Sequence, residues 1–185
     1  VSVLCNGNID NQNFYQQCGL KAPPIQIRMR ILDQNLRDQI GGLTDVTAPV
    51  SDIAVLKFAA PQVLIVENLQ TGLALPDIPG TVVFMGLGYS VDLLAEITWI
   101  ANAKTYYWGD LDTYGFAILH RARFYFSNLE SILMDEETLL KHQVLWGTEN
   151  SQHGAEELVL LRENEKLLYA DLKQQRWVHN VRLEQ

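Results

Sequence analysis

Cysteine is nearly missing: only Cys5 and Cys18 occur in 185 residues, both in a polar N-terminal stretch. Thirteen residues apart, they make a weak disulfide case, and no Cys/His set has the spacing of a metal site. Basic residues are also scarce, 14 Lys and Arg against 22 Asp and Glu, for a formal net charge of −8. That balance counts against a freestanding nucleic-acid binder, because phosphate contacts need Lys and Arg. No apolar run reaches the roughly 18–20 residues of a membrane span. The N-terminus lacks the basic, then apolar, then small-residue order of a secretory signal. The expectation is a cytoplasmic protein that does not meet a membrane. Two features soften the charge argument. Acids that act as ligands would be neutralised by bound cations. The chain also starts at Val1 without a Met and stops at Gln185 in a polar run, as a fragment would, with its basic surface elsewhere.

What is present is apolar. Hydrophobic residues make up 48% and charged residues 19%, which fits a globular domain with a real core and argues against disorder. Residues 1–24, rich in Asn and Gln, read as a linker or arm remnant, and residues 25–185 as one domain. Ile25 to Ile31 alternates apolar with polar, the period of a half-buried strand, with Arg28 and Arg30 on its solvated face. Gly41-Gly42 marks a turn, and Ser51-Asp52 is expected to cap a short helix reaching about Phe58. Val63 to Val66 and Thr81 to Met85 are continuous apolar runs, as in strands buried on both faces of a parallel sheet. Ser90 is expected to cap an amphipathic helix to about Ala101, with Val91, Leu94, Ile97 and Ile100 on one face. Thr105 to Trp108 is a third such strand. Helices are expected over Gly115 to Phe126, Glu136 to Trp146 and Ala155 to Leu172, and a fourth strand over Ser131 to Met134. Alternation of strand and helix predicts an α/β fold, with a parallel sheet of about four strands flanked by helices and a small N-terminal extension.

The chain is organised around Lys104 to Gly115, K-T-Y-Y-W-G-D-L-D-T-Y-G. Its strand ends in Gly109 and delivers Asp110 and Asp112. Val63 to Val66 ends in Glu67. Parallel strands point their C-terminal tips to one edge, so Glu67 meets the Asp pair if the two strands are neighbours. Like charges so close repel unless a cation or proton lies between them. Oxygen-only ligands select a hard ion, Mg²⁺ or Mn²⁺.

A strand-end Glu followed by a strand-end Asp-x-Asp resembles the Toprim (Rossmann-like) domain of type II-like topoisomerases and related nucleases. The fuller resemblance is to the C-terminal domain of the JetD family, the nuclease subunits of Wadjet anti-plasmid systems, related to the topoisomerase VI A subunit. It rests on I-R-M-R-I-L-D (27–33), G-L-T-D (42–45), V-L-I-V-E-N (63–68), Y-W-G-D-L-D-T-Y-G-F-A-I-L (107–119), S-I-L-M-D (131–135) and L-E-Q (183–185). It implies that Glu67, Asp110 and Asp112 are metal-binding catalytic acids of a Mg²⁺-dependent (or Mn²⁺-dependent) endonuclease. The implied partners are double-stranded plasmid DNA, SMC-type Wadjet subunits and a second copy of the chain. Related topoisomerase subunits carry their attacking Tyr in a winged-helix domain not visible in this sequence, so the resemblance implies hydrolysis by water. Asn68 follows the Glu where many Toprim domains have Gly.

Duller readings compete. Asp112 is well placed to cap the following helix, and Asp135 to cap the next. Arg121 and Arg123 read as solvated rather than phosphate-binding. Gly86-x-Gly88 reads as a tight turn. His120, His142, His153 and His179 share no spacing and read as surface or packing residues. Tyr106 to Trp108 read as sheet packing, and Tyr114 as packing at the helix entry. Two other functions remain open: a haloacid-dehalogenase-like phosphatase with Asp110 as nucleophile, and a non-catalytic domain whose acids hold a structural cation. The phosphatase pattern wants Thr or Val where Tyr114 stands, and a downstream Lys.

Overall fold

A computed structural model describes residues 14–15, 18–57 and 60–185. Most of the expected N-terminal arm and Phe58, the expected end of the helix entered at Ser51-Asp52, lie outside the described residues. The core is a six-stranded sheet in the order β2-β1-β4-β3-β5-β6. Strands β3 (Gln62–Val66), β4 (Thr81–Met85), β5 (Lys104–Trp108) and β6 (Glu130–Ser131) are parallel. β1 (Gln26–Ile31) runs antiparallel to β4, and β2 (Asp45–Pro49) antiparallel to β1. This is the α/β, Toprim-like layout expected: four parallel strands, with an antiparallel extension built from the N-terminal strand.

The continuous apolar runs sit where both faces of the sheet are covered. Val63 and Ile65 of β3 face the larger core, shared with Phe84, Met29, Phe116 and Leu119. Leu64 and Val66 face a smaller cluster with Val83, Trp108 and Ile132. Successive side chains on a strand point to opposite faces, so one short run serves two cores. The helices are α1 (Gln34–Asp38), α2 (Val50–Ala54), α3 (Leu69–Ala74), α4 (Thr113–Tyr125), α5 (Glu136–Lys141) and α6 (Glu163–Lys173). A small ribbon pairs β7 (Gly147–Thr148) with β8 (Val181–Arg182).

Several elements depart from expectation for identifiable reasons. Residues 88–102 form two 3₁₀ segments, not an α-helix. Their buried residues Val91, Leu94, Ile97 and Ile100 recur every third position, which aligns them at three residues per turn and spreads them at 3.6. α2 begins after Pro49 with no side-chain cap from Ser51 or Asp52. The fourth strand is only two residues long, and α6 starts at Glu163, eight residues later than expected. Leu158 and Leu161 are buried ahead of it without helix, so apolar content there reports packing, not period.

Two arginines read as solvated are structural. Arg30 donates to the carbonyl oxygens of Gly72 and Leu73, both at 2.7 Å, satisfying the open end of α3. Arg123 is 6% exposed and pairs with Glu165, which is fully buried. Ser131 and the Arg162 amide also donate to Glu165, so one carboxylate ties α4, β6 and α6 together. Arg121 does lie at the surface, paired with Asp92 at 2.5 Å.

Burial alone would raise the Glu165 carboxyl, but hydrogen bonds from Arg123, Ser131 and the Arg162 amide bring it below its ordinary value. Its stabilising effect is therefore complete above the ordinary glutamate range and lost as pH falls through the depressed folded value. Glu165→Ala strands a buried guanidinium and should cost roughly 3–5 kcal/mol in urea unfolding at neutral pH. The variant should also show a shallower loss of stability toward acid than the parent.

Candidate functional site

The chain runs from β3 outward to β4 and then returns to the other side of β3 as β5. Open α/β sheets bind ligands at such a reversal, outside the carboxyl ends of the two strands. Val66 and Trp108 are in register at those ends, and the Glu67 amide donates to the Trp108 carbonyl at 3.0 Å. Glu67 follows one strand and Asp110 the other, so the crevice opens between them.

The Asp110 amide donates to Glu67 Oε2 at 3.2 Å, and the Tyr107 hydroxyl donates to the same oxygen at 3.1 Å. Asp110 Oδ1 accepts the Gln185 amide at 3.0 Å. Asp112 Oδ1 accepts the Gly115 amide at 2.7 Å and caps α4. Each acid is thus anchored through one oxygen by donors of the fold. Glu67 Oε1 has no hydrogen bond among the described residues. The two remaining oxygens, Asp110 Oδ2 and Asp112 Oδ2, both face Arg182, whose Nη2 and Nε lie 2.5 and 3.2 Å away.

The glycines of the motif create this closeness. A Cβ on Gly115 would sit 2.1 Å from the Asp110 carbonyl oxygen, and one on Gly109 would sit 2.8 Å from Glu67 Oε2. Leu111, between the aspartates, is fully buried and exchanges backbone hydrogen bonds with Leu183 at 2.9 and 3.2 Å. Asp110 and Asp112 therefore emerge on one side of a pinned backbone. Both are buried, and Glu67 is half-buried.

Electrostatics register the crowding. Glu67 is pushed up to about 7, first by burial, then by the charge of Asp110 and, less strongly, Asp112. Asp112 is also raised, mainly by burial, against the Gly115 amide that favours its charge. The donor set is oxygen-only, as a hard divalent cation requires. The arrangement is not a ready cage, however. Among the described residues no group of three or more His, Cys, Asp or Glu side chains is disposed to hold a metal ion. Arg182 stands in front of the aspartates instead.

Four residues here carried no signal that spacing could reveal. Arg182 lies on two-residue β8, and Gln185 gains its role from fold closure, taking the Trp108 indole N–H at 2.5 Å. Glu149, buried beside Asp112, accepts the Thr113 hydroxyl and amide. Tyr107 is more than sheet packing, because its hydroxyl holds Glu67. Other expectations agree with the geometry: Asp135 caps α5, Gly86 and Gly88 have φ of 72° and 50° as in a tight turn, and Tyr114 packs edge-on against His153. The cation facing Asp110 is an arginine, not the lysine that a phosphatase would need.

A family model for the Wadjet protein JetD, C-terminal, matches residues 19–185. The chain belongs to this family. No curated protein matches it. Membership ties the chain to Wadjet plasmid defence and to a multi-subunit complex. No helix among the described residues is long and apolar enough to cross a membrane.

The folded value of Glu67 lies above its ordinary 4.5, so the stability supplied by its proton is complete below that value. It is lost as pH rises through about 7. In chelator-containing buffer, unfolding stability should fall across that interval, and Glu67→Gln, which keeps the neutral form, should flatten the fall. An unchanged pH profile in the Gln variant would show that Glu67 is not crowded.

Proposed function

We propose that this domain is a Mg²⁺-dependent (or Mn²⁺-dependent) DNA endonuclease that hydrolyses phosphodiester bonds in Wadjet plasmid defence. Glu67, Asp110 and Asp112 are its catalytic, metal-binding acids. One observation carries the reading: at the sheet's reversal point, three acids each have one oxygen held by a backbone amide, while the second oxygen of Asp110 and of Asp112 meets only the Arg182 side chain and that of Glu67 has no hydrogen bond among the described residues. Residues with only a capping or solvated role have no reason to share that pattern.

A hard divalent ion at such carboxylates activates a water and shields phosphate charge. The remaining work belongs to the chain. The amides of Asp110, Gln185 and Gly115 fix one oxygen of each acid, so little reorientation is left when a substrate phosphate arrives. Buried Tyr107 holds Glu67 through its hydroxyl, and the Tyr114 hydroxyl lies 3.3 Å from Ser151 Oγ at the cleft wall. Neither phenol is set up as a free nucleophile, which favours attack by water over a tyrosyl intermediate. With a net charge of −8, the domain relies on basic surface from the rest of its protein and from SMC-type partner subunits to grip double-stranded DNA. A second copy of the chain would supply the other strand's cut.

The full-length protein with its Wadjet partners should nick supercoiled plasmid in Mg²⁺ or Mn²⁺ and lose that activity in a chelator. Asp110→Ala should reduce nicking by at least about 100-fold, the order seen when a preorganised electrostatic group is removed. Parent-like nicking by a folded Asp110→Ala protein would refute the assignment.

A further inference from the structure

Among the described residues, Arg182 is the one cation lining the cleft formed with Glu67, Asp112, Tyr114, Glu149, Asn150 and Ser151, a space of about 310 Å³. Its guanidinium spans both aspartates, yet its Nε is a buried donor with no hydrogen-bond partner among the described residues, despite lying 3.2 Å from Asp112 Oδ2. A guanidinium serving only to lock the aspartates would be expected to use its planar fork fully, since bidentate geometry is where its strength lies. Here one branch is engaged and the other is misaligned. The side chain is also 36% exposed, whereas its Asp110 partner is 4% exposed, so the arginine borders open space and the carboxylate does not.

The backbone around it is fixed. Leu183 is bridged to Leu111, and Gln185 is held by Trp108, Leu133 and Asp110. The Oδ1 contacts of Asp110 and Asp112 are made by the Gln185 and Gly115 amides and do not involve the Arg182 side chain. Only the two Oδ2 atoms would change partner if the guanidinium swung into the cleft.

We infer that Arg182 is an internal counter-ion that occupies the place of a divalent cation, and that cation binding requires its side chain to leave Asp110 and Asp112. This rests on the metal-dependent reading above. Two states share the aspartates: one closed on Arg182, and one open to the ion with the guanidinium in the cleft. A ligand that binds only the open state is weakened by the fraction of molecules that are closed. Released from the aspartates, the same guanidinium would be an unpaired cation bordering the cleft.

The test is Mn²⁺ binding, followed by electron paramagnetic resonance of the free ion, on the full-length protein and its variants. Arg182→Gln should bind Mn²⁺ at least about tenfold more tightly than the parent, as expected if the open state is a minor population. Arg182→Lys, which keeps a charge without the fork and guards against loss of folding, should fall between the two. Arg121→Gln removes the same charge far from the acids and should leave affinity unchanged. Mg²⁺ should also shift the Arg182 Nε–H resonance of the parent in step with saturation. Equal or weaker binding by Arg182→Gln, or an Nε–H signal unmoved at saturation, overturns the inference and leaves the nuclease reading standing. No Mn²⁺ binding to parent or variants overturns both. Tighter binding by the variant, with no plasmid nicking by the parent complex, upholds the counter-ion and removes the nuclease.

Discussion

Negative charge gathered at the mouth of β3 and β5 must be balanced, and the way the protein balances it governs the local structure. Three carboxylates on adjoining strand ends cannot all ionise freely in a half-buried crevice. Glu67 responds by holding its proton to about 7, while the aspartates share a guanidinium. Backbone amides take the other oxygens. Each solution demands something of the chain nearby: glycine at 109 and 115 for close approach, a buried leucine at 111 to turn both aspartates the same way, and a helix start at Thr113 that Asp112 can cap. The motif's composition follows from that balance.

The same balance gives Asp112 two jobs. As a helix cap it uses Oδ1, and as a candidate ligand it presents Oδ2, so the structural and functional readings of that residue are not alternatives. Asp110 is different. It makes no cap and depends on a segment more than seventy residues away for both of its partners.

Much of this could be read from the residues in order. Continuous apolar runs at 63–66 and 81–85 announced strands covered on both sides, and the alternation at 25–31 announced a strand with one solvated face. The strand-end positions of Glu67 and Asp110 followed directly. The 3₁₀ segments are hard to read because an i, i+3 apolar pattern resembles an α-helical stripe, although a strict period of three favours the tighter winding. The roles of Arg30 and Arg123 do not show in sequence because an arginine's partner lies wherever the fold brings an acceptor, here a helix end and Glu165. Arg182 and Gln185 were illegible for the same reason: L-E-Q could be seen as part of a resemblance, but its contact with the Asp pair exists only after the chain has closed on itself.

β2 forms one border of the sheet, and its outer rim has a consequence for assembly. The strand is five residues long and ends at Pro49, which has no amide to offer, and Asp45 at its other end is tied to Arg28 by two hydrogen bonds. Shortness, proline and charge discourage a foreign strand from docking there. At the opposite border, β6 is only two residues long. A chain packed beside other polypeptides in a large machine is thereby protected from zipping onto them through its backbone, so association falls to side-chain surfaces, where specificity can be encoded.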